Sequence, residues 1–70
     1  MYAQVIVDIV HENVAHTFTY SVPDGMELSP GQRVEVPFGP RSKEGVVLFL
    51  AEAYTGDFPI ERIKPVSAKL

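Results

Sequence analysis

The chain has 70 residues, no cysteine, 46% hydrophobic and 21% charged residues, and a formal net charge of −3. That length holds one small domain or part of a larger one and excludes two. Without cysteine there is neither a disulfide framework nor a thiolate for metal binding or nucleophilic attack, and the negative balance opposes extended coating of a phosphate backbone.

The absence of cysteine fits a reducing, cytoplasmic setting. The opening residues Met1-Tyr2-Ala3-Gln4 carry no basic start, and Asp8 interrupts the run Val5-Ile6-Val7 well short of a signal or spanning segment, so no membrane contact is expected.

Taken along the chain, Ala3, Val5, Val7 and Ile9 alternate with Gln4 and Asp8 and predict a first strand with one apolar face. His11, Glu12 and His16 follow. Their imidazoles are five positions apart, whereas H-E-x-x-H chemistry needs them four apart on one helical face, so these residues read as a solvated loop rather than a metal site.

Phe18, Tyr20 and Val22 alternate with Thr17, Thr19 and Ser21 as a second strand. Pro23-Asp24-Gly25 ends it. In Ser29-Pro30-Gly31-Gln32 proline fixes a negative φ and glycine supplies the following positive one, the pattern of a type II turn that aims Arg33-Val34-Glu35-Val36 back across a sheet.

After the breakers Pro37-Phe38-Gly39-Pro40, the stretch Gly45 to Ala51 is apolar on both faces and predicts a central buried strand, with a helix from Leu48 to Tyr54 as the alternative. Gly56-Asp57 and Pro59 break the chain again. A last short strand over Arg62 to Val66 contains Pro65, which confines it to an edge or a strand end. The fold class is therefore mainly β, a small five- to six-stranded antiparallel barrel of OB-like type, because a flat sheet of this size leaves a face and both edges uncovered.

Catalytic chemistry lacks its parts. Gly39 to Gly45 reads G-P-R-S-K-E-G, which has the wrong order for a phosphate loop, and Pro40 removes one cradling amide. No G-x-G-x-x-G occurs, and no serine sits in a nucleophile elbow. Asp24 with Glu27, and Asp57 with Glu61, read as ordinary surface charge.

Two stretches carry more information. Phe18-Thr19-Tyr20-Ser21-Val22-Pro23 and Gly31-Gln32-Arg33-Val34-Glu35-Val36-Pro37-Phe38-Gly39-Pro40-Arg41, preceded by Ala3-Gln4-Val5-Ile6-Val7-Asp8 and followed by Gly45-Val46-Val47, keep their order and spacing over most of the chain. In this the sequence resembles the N-terminal 3′ DNA-binding domain of the PriA (primosomal protein N′) family of bacterial replication-restart helicases.

The resemblance implies that residues 1–70 are the N-terminal part, incomplete, of a 3′-end DNA-binding domain within a larger helicase. Such a domain recognises the 3′-OH end of the nascent leading strand at stalled or abandoned forks and orients the helicase there. It implies as partners forked or single-stranded DNA with a free 3′ end, the other domains of the same helicase and primosome proteins. No cofactor is expected in this chain; ATP, magnesium and structural zinc belong to the remainder, and the chain by itself is not an enzyme.

Carried over position by position, the family's pocket for the terminal nucleotide falls on Phe18, Thr19, Tyr20, Gly39 and Lys64. Arg41 and Lys43, the local basic cluster beside Gly39, are candidates for auxiliary phosphate contacts. Family members commonly carry Asp between the two aromatics. Thr19 replaces that ionised acceptor with a neutral hydroxyl, and charge-assisted hydrogen bonds are roughly twice as strong as neutral ones.

The residues also have readings without DNA. Phe18, Tyr20 and Val22 share a strand face, where aromatics serve as core, and alternation puts Thr19 on the other face. Gly39 suits a tight turn, and Lys64 suits a charged sheet edge. The competing functions are an SH3- or KOW-like small barrel binding protein or RNA, since P-G-x-R-V-x-V also opens such barrels, and a structural barrel packed on a partner domain. An RNA-binding barrel calls for a basic face, which the charge balance lacks.

Overall fold

A computed structural model of the chain describes residues 1–9, 14–54, 56 and 59–70, with the side chains of all but 8, 9, 14 and 15. His11, Glu12 and Asp57, read above as loop and surface charge, lie outside the described residues. His16 is not in a loop: it sits exposed within the second strand, its ring centroid 6.2 Å from that of Phe18.

The strands are β1 (Tyr2–Ile9), β2 (Val14–Ser21), β3 (Arg33–Phe38), β4 (Arg41–Ala51) and β5 (Ala68–Lys69), with one 3₁₀ turn at Ile60–Arg62 before β5. They form a single antiparallel sheet in the order β2-β1-β4-β3-β5. The expected alternation sets the core: Ala3, Val5 and Val7 of β1, Tyr20 of β2, Val34 and Val36 of β3, Val47 of β4 and Val66 are buried together. Valine suits these positions because its branched, stiff side chain fits a pleated, buried surface at little entropic cost.

The turn over Ser29-Pro30-Gly31-Gln32 forms as expected. The Gln32 N–H donates to the Ser29 carbonyl at 3.0 Å, and Gly31 takes φ 91°. Between β3 and β4 the loop is only Gly39-Pro40, since Phe38 pairs with Arg41. Gly39 takes φ 60°, the sign required of the first residue in a type II′ hairpin turn, and Pro40 supplies the negative φ that follows.

Three expectations change. β4 begins at Arg41 rather than Gly45, because the tight hairpin holds the polar residues Arg41 to Glu44 in register against β3. The helix alternative over Leu48 to Tyr54 is replaced by strand to Ala51. The last strand lies at Ala68–Lys69, not over Arg62 to Val66, where a 3₁₀ turn and one isolated bridge stand instead.

The sheet has five strands and does not close into a barrel. Residues 64 to 66 reach β2 through one parallel bridge, Ser21 to Pro65, where the Ser21 N–H donates to the Lys64 carbonyl at 3.0 Å and the Val66 N–H to the Ser21 carbonyl at 2.9 Å. No further pairing continues from this single bridge, so among the described residues most of β2 stays an uncovered edge.

β4 is central, between β1 and β3, as its composition foretold, but it is not buried on both faces as expected. A bulge opposite Gln4 and Val5, which pair with Phe49 and Val47, leaves Leu48 as the extra residue. Val47 is buried in consequence, while Leu48 and Phe49 are 40% and 54% exposed. Among the described residues no helix is long and apolar enough to cross a membrane.

Candidate functional site

The open edge of β2 is the place to look, because main-chain donors and acceptors there lack strand partners. The Val22 N–H bonds the Met1 carbonyl at 2.9 Å, so Val22 belongs to the hydrogen-bonded positions of the β1–β2 ladder. Alternation assigns Tyr20 and Phe18 to the same class, opposite Ala3 and Val5. Thr17, Thr19 and Ser21 then turn their main-chain groups outward. Residues 64 to 66 cover those of Ser21; no described strand covers those of Thr19 or Thr17.

The same alternation brings Gln4 and Thr19, a non-hydrogen-bonded pair, close across the ladder. The Thr19 hydroxyl donates to Gln4 Oε1 at 2.7 Å.

A cavity of 430 Å³ runs along this edge, and all five residues carried over from the family, Phe18, Thr19, Tyr20, Gly39 and Lys64, line it. Simple alternation argued against this grouping. β2 pairs with β1 without a register shift, so no bulge rescues it. The cavity instead wraps the edge strand and meets both of its faces.

Its apolar wall is set by packing. Phe18 meets Phe38 edge to face, centroids 5.2 Å apart and planes at 75°, an arrangement that aromatic quadrupoles favour. Tyr20 is 6% exposed and donates its hydroxyl to the Pro37 carbonyl at 2.9 Å, which ties β2 to β3 across the cavity. Both aromatics therefore serve the core and the wall together.

Burial raises the Tyr20 phenol above its ordinary value of 10.0. The folded state binds that proton more tightly than the unfolded chain, so the contribution is complete below about pH 10 and is lost as pH rises through the folded value. Tyr20→Phe leaves the Pro37 carbonyl without this donor and should cost about 0.5–1.5 kcal/mol. Denaturant midpoints across pH 8 to 11.5 should show a lower plateau for the variant and a weaker alkaline decline.

Among the described residues that line the cavity, Lys64 and Arg62 are cationic and none is acidic. The pocket thus has a local positive rim in a chain of net charge −3. Arg41 and Lys43, the sequence candidates for phosphate contact, do not line it; they stand on β4 beyond the hairpin, opposite Phe38 and Val36. Arg33 also lies elsewhere, its Nε 3.2 Å from Glu44 Oε2 in an exposed pair.

Sequence reasoning missed Gln4, Tyr54 and Arg62, which also line the cavity. Only the β1–β2 register and the return of the chain through residues 59–66 bring them there. Among the described residues no group of three or more His, Asp or Glu could hold a metal ion.

An open five-stranded sheet with an aromatic, cation-rimmed cavity on a free strand edge defines a small β binding module. Comparison with known proteins gives its family: the 3′DNA-binding domain (3′BD) model of PriA matches residues 4–70, and the chain belongs to that family. It is 43% identical over 54 residues to the replication restart protein PriA of Bacillus subtilis, covering 74% of this chain and 7% of that protein. Against PriA of a Synechocystis species it is 34% identical over 65 residues, or 93% of this chain and 8% of that one. The chain thus spans less than a tenth of the length of these curated relatives. It is a DNA-binding domain and not a helicase motor.

Proposed function

We propose that the cavity captures the 3′-terminal nucleotide of a DNA strand through its free hydroxyl. In replication restart, the context of the relatives, that strand is the nascent leading strand at a stalled or abandoned fork. Capture orients the helicase of which this chain is a domain, with the other domains and primosome proteins as partners in the bacterial cytoplasm. The ATP, magnesium and structural zinc of that assembly belong to its remaining parts.

One observation carries the reading: the five family positions line a single cavity along an uncovered strand edge. Phe18 offers a ring for the base, since stacking is worth about 1–3 kcal/mol per base. The outward main chain of Thr19 offers an acceptor to the 3′ hydroxyl, a contact that a following phosphate obstructs. With Thr19 in place of Asp, the base meets a neutral hydroxyl already engaged with Gln4.

Short single strands ending in a 3′ hydroxyl, a 3′ phosphate or a hairpin-buried 3′ end should separate in a fluorescence titration at two salt concentrations. The free hydroxyl should bind at least tenfold tighter. With one or two phosphates touched, at a slope of about 0.7 per contact, salt dependence should be shallow. Equal affinity for all three ends overturns end capture and leaves only backbone contact.

A further inference from the structure

A second cavity, of 310 Å³, lies on the outer face of the sheet, and Gln4, Thr19 and Tyr54 line it as well as the first. The two are therefore contiguous across the Gln4–Thr19 pair. We propose that this outer cavity is a subsite for the penultimate nucleotide of the captured strand, with Phe49 as the surface on which its base stacks. The proposal rests on the end-capture reading above.

Phe49 reaches this place through the β4 bulge. Opposite Gln4 in register, it stands on the solvent face at 54% exposure instead of entering the core. The ring presents an accessible face beside the Gln4–Thr19 pair, and a planar base is a ligand that can stack on such a face without needing a matching charge.

Tyr2 and Tyr54 form the other wall, their ring centroids 5.9 Å apart at 47°. Gly56 makes room for that ring: a Cβ there falls 2.5 Å from the Tyr54 hydroxyl. None of the described residues that line this outer cavity is acidic.

Gln4 stands at the junction. Its Oε1 is held by Thr19, and its Nε2 has no hydrogen-bond partner among the described residues. A neutral N–H donor at that point suits the sugar-phosphate link between two nucleotides, whose free oxygens are all acceptors. The strand then crosses from the edge of β2 onto the outer face through one amide contact, which adds little salt dependence.

The test uses the 70-residue protein and Phe49→Ala, with strands that end in a 3′ hydroxyl and are intact, abasic at the last position, or abasic at the penultimate position. Because Phe49 is exposed, thermal melts of the two proteins should agree closely. On the intact strand the variant should bind about tenfold more weakly, the loss of one stacked base. On the strand lacking the penultimate base, wild type and variant should bind alike.

Preference of the variant for a 3′ hydroxyl over a 3′ phosphate should survive. Equal binding of the intact strand by both proteins, or the same loss whether or not the penultimate base is present, overturns the subsite and leaves end capture standing. A wild-type protein that does not distinguish 3′ ends instead removes end capture, and the subsite with it.

Discussion

Gly45→Ala should be the most damaging single-methyl change in this protein. Gly45 is buried in the middle of β4, paired with Val7 on one side and Val34 on the other. A Cβ placed on it falls 2.5 Å from Val5 Cγ1 and 2.7 Å from the Ile6 carbonyl oxygen. The valine methyl can rotate aside only within a full core, and the carbonyl belongs to the neighbouring strand, so relief requires β1 and β4 to separate.

Overpacking of this kind typically costs about 1–3 kcal/mol, and more where backbone must move. A domain of this size has a total stability of roughly 4–10 kcal/mol. Each kcal/mol lowers the melting temperature by about 4–8 °C in small domains, so a fall of 10 °C or more in a thermal melt is expected, with a matching drop in denaturant midpoint. An unchanged melt would show that β1 and β4 yield freely at this point. Glycine is required here for space and not for backbone freedom, unlike Gly39 at φ 60°.

Phe18→Leu should separate the two roles of the Phe18 ring. The side chain is half-buried and packs on the core beside Phe38. Truncation to alanine removes core and platform together and confuses them. Leucine keeps most of the volume, a swap that usually costs less than about 1.5 kcal/mol, but it has no aromatic face.

With the ring as stacking surface for the terminal base, the variant should lose roughly 1–3 kcal/mol of binding, about five- to 150-fold in Kd. Its urea midpoint should shift only slightly. Affinity equal to wild type at reduced stability would assign the ring to the core alone. Titration against a 3′-hydroxyl strand, with unfolding measured on the same preparation, decides between these outcomes.

The Phe18 and Thr19 positions also show how far local pattern reasoning reaches. Period-two alternation correctly placed their side chains on opposite faces of β2. Taken alone, this spoke against one pocket holding both side chains. That inference assumed a strand flanked on both sides, whereas β2 is an edge, and a cavity at an edge is open to both faces. Edge position is a property of strand order, which depends on contacts between distant segments.

The same limit governs which cationic residues reach the cavity. Arg41 and Lys43 follow Gly39 closely in sequence, but the two-residue hairpin turns the chain back along β3. Arg62, more than 20 residues further on, arrives at the cavity instead. Gln4 was visible only as the polar member of an apolar alternation; its meaning came with its register opposite Thr19.

By itself the sequence determined the mainly β class, the inward faces of β1 to β3, the type II turn at Ser29 to Gln32, the central place of the apolar segment and the family. These follow from local rules: side-chain period, the φ preferences of proline and glycine, and residue identities at fixed spacing. Tertiary structure decided the open sheet in place of a barrel, the outward turn of Phe49, the exposed edge of β2 and the joining of Gln4, Tyr54 and Arg62 to the site. Each depends on which strands pair and in what register, and that choice minimises the free energy of the whole chain, not of any short window within it.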